Sequence, residues 1–108
     1  MLTRERNPMN TLTTKQKKYL RGSAHDLKPI VYIGQQGMSD AVLKDANRAL
    51  DDHELIKIRF IDYKDKKKDL AEKIAAHTGA ELVEIKGHLA CFYRPSPKEN
   101  KQRITLPN

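Results

Sequence analysis

A chain of 108 residues with 38% hydrophobic and 32% charged residues can bury one modest core, which excludes a disordered chain and a multidomain one. No apolar run approaches the ~20 residues of a membrane span, residues 1–10 lack the apolar stretch of a secretory signal, and the single Cys91 cannot form an internal disulfide, so a reducing cytoplasmic setting is expected. The net charge of +7, from 21 Lys and Arg against 14 Asp and Glu, creates a positive field that favours polyanions such as nucleic acid or an anionic membrane surface.

Residues 1–12 show no periodic pattern and are expected to form a flexible leader. Thr13 can cap a helix, and Gln16, three residues on, can reach back to it as in a capping box. Leu20, Ala24 and Leu27 follow as a narrow apolar stripe at helical spacing. Lys28-Pro29 should end the helix, because proline pushes the preceding residue out of the α region. Residues 30–33 are β-branched and aromatic, which predicts a short buried strand. Gly34-Gln35-Gln36-Gly37 breaks that strand. Ser39 or Asp40 can cap a second helix, on which Val42, Leu43, Ala46, Ala49, Leu50 and His53 share a face.

Residues 54–61 alternate: Ile56, Ile58 and Phe60 share one side, and Lys57 and Arg59 share the other with Leu55 and Ile61. A charged stretch over residues 62–69 leads into a third helix. Asp65 is its expected cap, Leu70, Ile74 and Ala75 its inward face, and Gly79 its C′ glycine. Residues 81–86 and 89–94 read as two strands joined by a tight hairpin at Gly87-His88. Pro95 and Pro97 close a domain spanning residues 13–95. Residues 96–108 form a basic tail with a last extended segment at 104–106. The order α-β-α-β-α-β-β requires crossover connections in its β-α-β-α-β portion. The fold class is therefore α/β, a single domain with one mixed four-stranded sheet.

Gly34-Gln35-Gln36-Gly37 lies between a strand and a helix N-terminus. Glycine lets the backbone turn sharply and leaves no Cβ to hold a ligand away, and the helix start presents unpaired N–H groups and a dipole that favours an anion. The loop is too short for a Walker A motif and does not match Gly-x-Gly-x-x-Gly, so nucleotide cofactors are disfavoured and no cofactor is expected. Two readings of the loop stand open: a phosphate contact, or an ordinary turn that needs glycine for its geometry. Helix 1 carries Lys15, Lys17, Lys18, Arg21 and Lys28 against Asp26 alone, and Lys17, Arg21 and Lys28 line up beside the apolar stripe. Lys64, Lys66, Lys67 and Lys68 crowd the start of helix 3. They are either a polyanion contact or a solvated turn balanced by Asp62, Asp65 and Asp69. Lys57 and Arg59 either meet phosphates or line a solvated strand face. Of Tyr19, Tyr32, Tyr63, Phe92 and Tyr93, most are expected in the core or at its edge, which leaves base stacking without a predicted platform.

An enzyme is not expected. His25, His53, His77 and His88 are scattered, with no metal-ligand spacing among them or with Cys91. Cys91 reads as a small buried hydrophobe, and His53 as a helix-terminal structural residue.

Taken jointly, Thr14-Lys15-Gln16-Lys17, Leu27-Lys28-Pro29-Ile30-Val31, Gly34-x-x-Gly37, His53-Glu54-Leu55-Ile56-Lys57 and Tyr93-Arg94-Pro95 resemble the CRM domain, in its stand-alone bacterial YhbY-type form. The likeness runs from Leu12 to Pro95, and Ile104-Thr105-Leu106-Pro107 shares it. The resemblance implies a fold like the C-terminal domain of translation initiation factor three. It also implies RNA binding, in bacteria to precursors of the large ribosomal subunit, with the family's loop falling on Gly34, Gln35, Gln36 and Gly37. Glutamine at both middle positions leaves the grip to backbone N–H groups and amides, and leaves the attraction to charges elsewhere. The expectation is a monomeric, non-enzymatic ribosome-assembly factor that binds ribosomal RNA through the loop and through Lys15, Lys17, Lys18, Arg21, Lys28, Lys57, Arg59, Lys66 and Lys67. The alternative is a protein-interaction module that docks on a ribosomal protein or an assembly GTPase.

Overall fold

The computed structural model describes residues 12–35, 37–96 and 104–107. Of the flexible leader expected over residues 1–12, residues 1–11 lie outside the described residues, as do most of the basic tail and Gln36, while Leu12 is described and packs against the domain. The elements are α1 (Thr14–Ala24), β1 (Val31–Ile33), α2 (Asp40–His53), β2 (Leu55–Phe60), a 3-10 turn (Lys64–Lys66), α3 (Lys67–Thr78), β3 (Glu81–Lys86) and β4 (Leu89–Tyr93). They form one α/β domain in the expected order.

The sheet order is β1-β2-β4-β3. β1 runs parallel to β2, and β4 runs antiparallel to both β2 and β3. α2 therefore links parallel neighbours, and α3 carries the chain past β4 to the far edge. Both helices pack on one face of the sheet. There Val31, Ile33, Ile56, Ile58, Phe60, Ala90 and Phe92 meet Ala46, Ala49, Leu50, Ala71 and Ile74. Each large side chain so buried contributes roughly 1.5–3 kcal/mol, and the alanines bring the helix backbones close to the strands. α1 covers part of the other face, where Leu20 and Ala24 pack on Leu55, Val83, Cys91 and Tyr93. Leu12, Ile104 and Leu106 close the rim of this smaller cluster.

Local signals account for most helix ends. Thr13 Oγ1 accepts from Gln16 N and Gln16 Oε1 accepts from Thr13 N, both at 3.0 Å, so the capping box forms as expected. Ser39 caps α2 and accepts from Val42 N at 3.2 Å. Gly79 ends α3 at φ 74, and Gly87 opens the hairpin at φ 60, as a primed turn requires.

Tertiary contacts decide the remaining ends. α1 stops at Ala24, not at Lys28. The Lys57 ammonium donates to the carbonyls of His25 (3.3 Å) and Leu27 (2.9 Å), satisfying orphan carbonyls at that end. Ile30 N then bonds Lys57 O at 3.1 Å and feeds the chain into β1. Leu27 is consequently 39% exposed and does not extend the apolar stripe. The strand expected over residues 30–33 begins at Val31, and Ile30 and Tyr32 face outward. His53 ends α2 exposed, not on its buried face. Asp65 does not cap α3, which starts after the 3-10 turn with Lys66 at its N-cap and no side-chain cap bond. Tyr19, Tyr32 and Tyr63 are exposed, which corrects the expectation that most of the aromatics lie in the core or at its edge.

Two of the motif residues prove to be anchors. Arg94 donates to Asn47 Oδ1 (2.8 Å), Asn47 O (3.1 Å), Asp51 Oδ1 (2.8 Å) and Thr78 O (2.5 Å), and so ties the end of β4 to α2 and α3. Glu54 is buried at φ 67 and ψ −41, a sparsely populated conformation that costs roughly 1–3 kcal/mol for a residue with a Cβ. Its carboxylate accepts from Ser96 N at 2.7 Å and Ile104 N at 2.6 Å, which ties both residues to the end of α2.

Candidate nucleic-acid interface

The glycine loop follows directly from the edge strand β1. Ile33 O accepts from Ile61 N (2.8 Å) and Asp62 N (3.2 Å), which locks the mouth of the loop to the end of β2. Gly37 N donates to Gly34 O at 2.9 Å and closes a four-residue turn. Tyr63, held in the left-handed region at φ 60, donates its hydroxyl to Gln35 O at 2.7 Å.

The two glycines are required for different reasons. Gly37 has φ +64, and a Cβ there would sit 3.3 Å from Tyr63 Cε2, so the folded chain itself demands glycine. Gly34 has an ordinary φ and nothing within 4 Å of a built Cβ. Nothing in the folded chain asks for glycine at that position. A surface that must be approached closely by a ligand would.

α2 points its N-terminus at this loop, where the helix dipole favours an anion. Asp40 occupies its first turn and offsets part of that attraction. The residues from Gly34 to Gly37 bring no charged side chain, so any attraction for an anion at the loop comes from backbone N–H groups and the helix dipole.

The basic residues divide among separate places. Lys18 and Arg21 of α1, Lys57 of β2 and Lys86 of β3 line one groove of 770 Å³ between α1 and the β3–β4 hairpin, with Leu89 and Cys91 on its floor. Lys57 shares its ammonium with the two α1-end carbonyls, and Arg21 lies 3.7 Å from Glu84. Lys15 is exposed outside this groove, and Lys17 borders a different hollow of 510 Å³ beside Glu72, Gly79 and Glu81. Lys28 is exposed on the connection to β1 and does not extend a helical ridge with Lys17 and Arg21. Lys66 is exposed on the 3-10 turn, and Lys67 donates to the carbonyl of Gly87 in the hairpin. Arg59 is exposed on the sheet face, next to Tyr32 in register.

Lys86 was missed by sequence reasoning, and a bulge explains why. The β3–β4 register slips between Leu82 and Glu84. Leu82 and Ile85 therefore face α2 and α3, while Val83 faces α1. Glu84 and Lys86 come to pair with Cys91 and Leu89 on the α1 side. Plain alternation would place Lys86 with Leu82 on the opposite face.

Burial pushes the Cys91 thiol above its ordinary value of 9.0; Lys57 opposes the rise and Glu84 adds to it. A buried neutral thiol is a poor nucleophile. Among the described residues, no group of three or more His, Cys, Asp or Glu could hold a metal ion, and no helix is long and apolar enough to cross a membrane.

A small α/β domain with a glycine loop at one sheet edge and a basic groove across the sheet defines the class. The sequence pattern of the CRS1 / YhbY (CRM) domain matches residues 12–94, and the chain belongs to that family. It is 39% identical over 100 residues to a Haemophilus influenzae protein named RNA-binding protein, covering 92% of this chain and 98% of the relative. It is 40% identical over 97 residues to the Bacillus subtilis protein named Probable RNA-binding protein YqeI, covering 89% and 99%. The solution structure of a hypothetical Staphylococcus aureus protein, itself proposed to bind RNA, superposes with a TM-score of 0.75 at 43% identity, covering 90% of this chain and all of that one.

Proposed function

We propose that this chain is a non-enzymatic RNA-binding protein that holds ribosomal RNA in large-subunit precursors, and that it acts as a monomer in the cytoplasm without a cofactor. Gly34 carries the reading: it is a glycine that the fold does not need, on a loop aimed by a helix N-terminus, in a chain of net charge +7. The loop, Gly34, Gln35, Gln36 and Gly37, sets the position of a phosphate. Lys18, Arg21 and Arg59 supply the attraction, and Lys15, Lys17, Lys28, Lys66 and Lys67 extend the field around them. Lys57 contributes mainly by holding the end of α1. The names of the family relatives support RNA as the ligand, and the family resemblance points to the large subunit.

A salt titration tests the electrostatic part. About four phosphate contacts would cut affinity for a structured ribosomal RNA fragment about 50- to 150-fold between 50 and 200 mM salt; a flat response refutes it. Sucrose-gradient fractionation with crosslinking tests the target: the protein should sediment with large-subunit precursors, crosslinked to their RNA. Crosslinks to other RNAs alone would refute the ribosomal assignment.

One observation favours a second reading, docking on a ribosomal protein or an assembly GTPase. Leu27 and Ile30 are exposed beside a 400 Å³ hollow that Leu55 and Ile104 also line. Under that reading a ribosomal partner stays bound after nuclease digestion.

A further inference from the structure

The sheet register places four side chains in one row across the α1 face. Tyr32 of β1 lies opposite Arg59 of β2, Arg59 opposite Leu89 of β4, and Leu89 opposite Lys86 of β3. Side chains directly opposite in a sheet share a face and lie within reach of one another. α1 covers the rows beyond it, where Leu55, Cys91 and Tyr93 are buried, but not this one. Tyr32 is 50% exposed, Arg59 and Lys86 are exposed, and Leu89 is half-buried.

The composition of the row is specific. A tyrosine stands opposite an arginine, with a leucine next and a lysine at the end. The Tyr32 hydroxyl donates to Pro29 O at 3.2 Å and steadies the ring on the sheet. Tyr32 also precedes Gly34 by two residues, so the row adjoins the glycine loop along the chain. Lys86 and Leu89 belong at the same time to the groove beside α1, where four cations, Lys18, Arg21, Lys57 and Lys86, face two carboxylates, Asp26 and Glu84. Arg21 lies 3.7 Å from Glu84 and screens it.

Bases stack on aromatic rings and on arginine planes whatever their identity, but only when unpaired. The deep, narrow major groove of an RNA duplex keeps its bases from side chains. We propose that this strip is a stacking site for an unpaired base of RNA, with Tyr32 beneath the base, Arg59 beside it, and the adjoining backbone led into the cationic groove past Lys86. This rests on the RNA-binding reading above and adds to it a class of RNA: single-stranded segments, not duplex.

The test compares a 12-nucleotide unpaired RNA with a blunt duplex of the same length, by fluorescence anisotropy, for the wild type, Tyr32→Ala and Tyr32→Phe. Thermal melts of both variants confirm folding, which the half-exposed position should permit. Tyr32→Ala should weaken binding of the unpaired RNA roughly tenfold and leave duplex binding unchanged, while Tyr32→Phe, which keeps the ring, should stay within about twofold of wild type. Equal losses on both RNAs, no loss on either, or wild-type binding to the duplex alone would overturn the stacking site and leave RNA binding standing. Wild-type failure to bind either RNA would bring down the functional reading, and this inference with it.

Discussion

Replacing Gly34 by alanine separates a glycine required by the fold from one required by a ligand. A Cβ at Gly34 meets nothing within 4 Å, and its φ is one that any residue adopts. Alanine there restricts the unfolded chain without straining the folded one, so stability should rise by about 0.4–1 kcal/mol. In a domain of this size that raises Tm by roughly 2–6 °C. The same methyl group would stand between the loop and a phosphate. A phosphate oxygen lies about 2.9 Å from a donating backbone nitrogen, closer than it can approach a methyl carbon. Loss of one charge-assisted hydrogen bond costs about 1.5–3 kcal/mol, which is a fall in RNA affinity of about 10- to 150-fold. Gly37→Ala provides the contrast. Its φ of +64 and the Tyr63 ring 3.3 Å from the new Cβ should lower stability by roughly 1–2 kcal/mol. Thermal melts and anisotropy titrations of both variants give four numbers. A Gly34→Ala protein that melts higher but binds RNA as well as wild type refutes the argument that Gly34 faces the ligand. One that melts lower refutes the reading of the loop geometry.

Two further outcomes follow from the anchors and the buried thiol. Arg94→Ala removes four donated bonds from the ends of β4, α2 and α3 and should destabilise the domain by about 2–4 kcal/mol, seen as a lower denaturant midpoint; a loss under about 0.5 kcal/mol would mean the clamp is incidental. The Cys91 thiol, raised by burial, should react with an aromatic disulfide reagent at pH 8 at least roughly tenfold more slowly in the folded protein than in denaturant. Because the folded protein favours the neutral thiol, its contribution to stability is complete below 9.0 and is lost as pH rises from there toward the higher folded value. Equal rates in folded and unfolded protein would place the thiol at the surface.

Much of the architecture was legible in the sequence because it rests on short-range physics. Caps need a donor and an acceptor three residues apart, which Thr13, Gln16 and Ser39 supply. The C′ glycine at Gly79 and the hairpin glycine at Gly87 are backbone requirements visible in the residue type alone. Periodicity placed Ile56, Ile58 and Phe60 on one side of β2, and the element order then implied the mixed sheet.

The elements, their order, the positive charge and the loop between β1 and α2 therefore follow from local sequence. The interface was decided by tertiary structure. α1 ends at Ala24, where Lys57 of β2 holds the carbonyls of His25 and Leu27 just beyond it, and that short helix leaves Tyr32 and Arg59 uncovered. Lys86 joins the groove because one bulge in β3 reverses the facing of every residue after it. Gly34 and Gly37 look alike in sequence, but only Gly37 is held at positive φ with Tyr63 standing over it. Each of these outcomes depends on contacts between residues far apart in the chain, and local propensity carries no information about which partner will arrive.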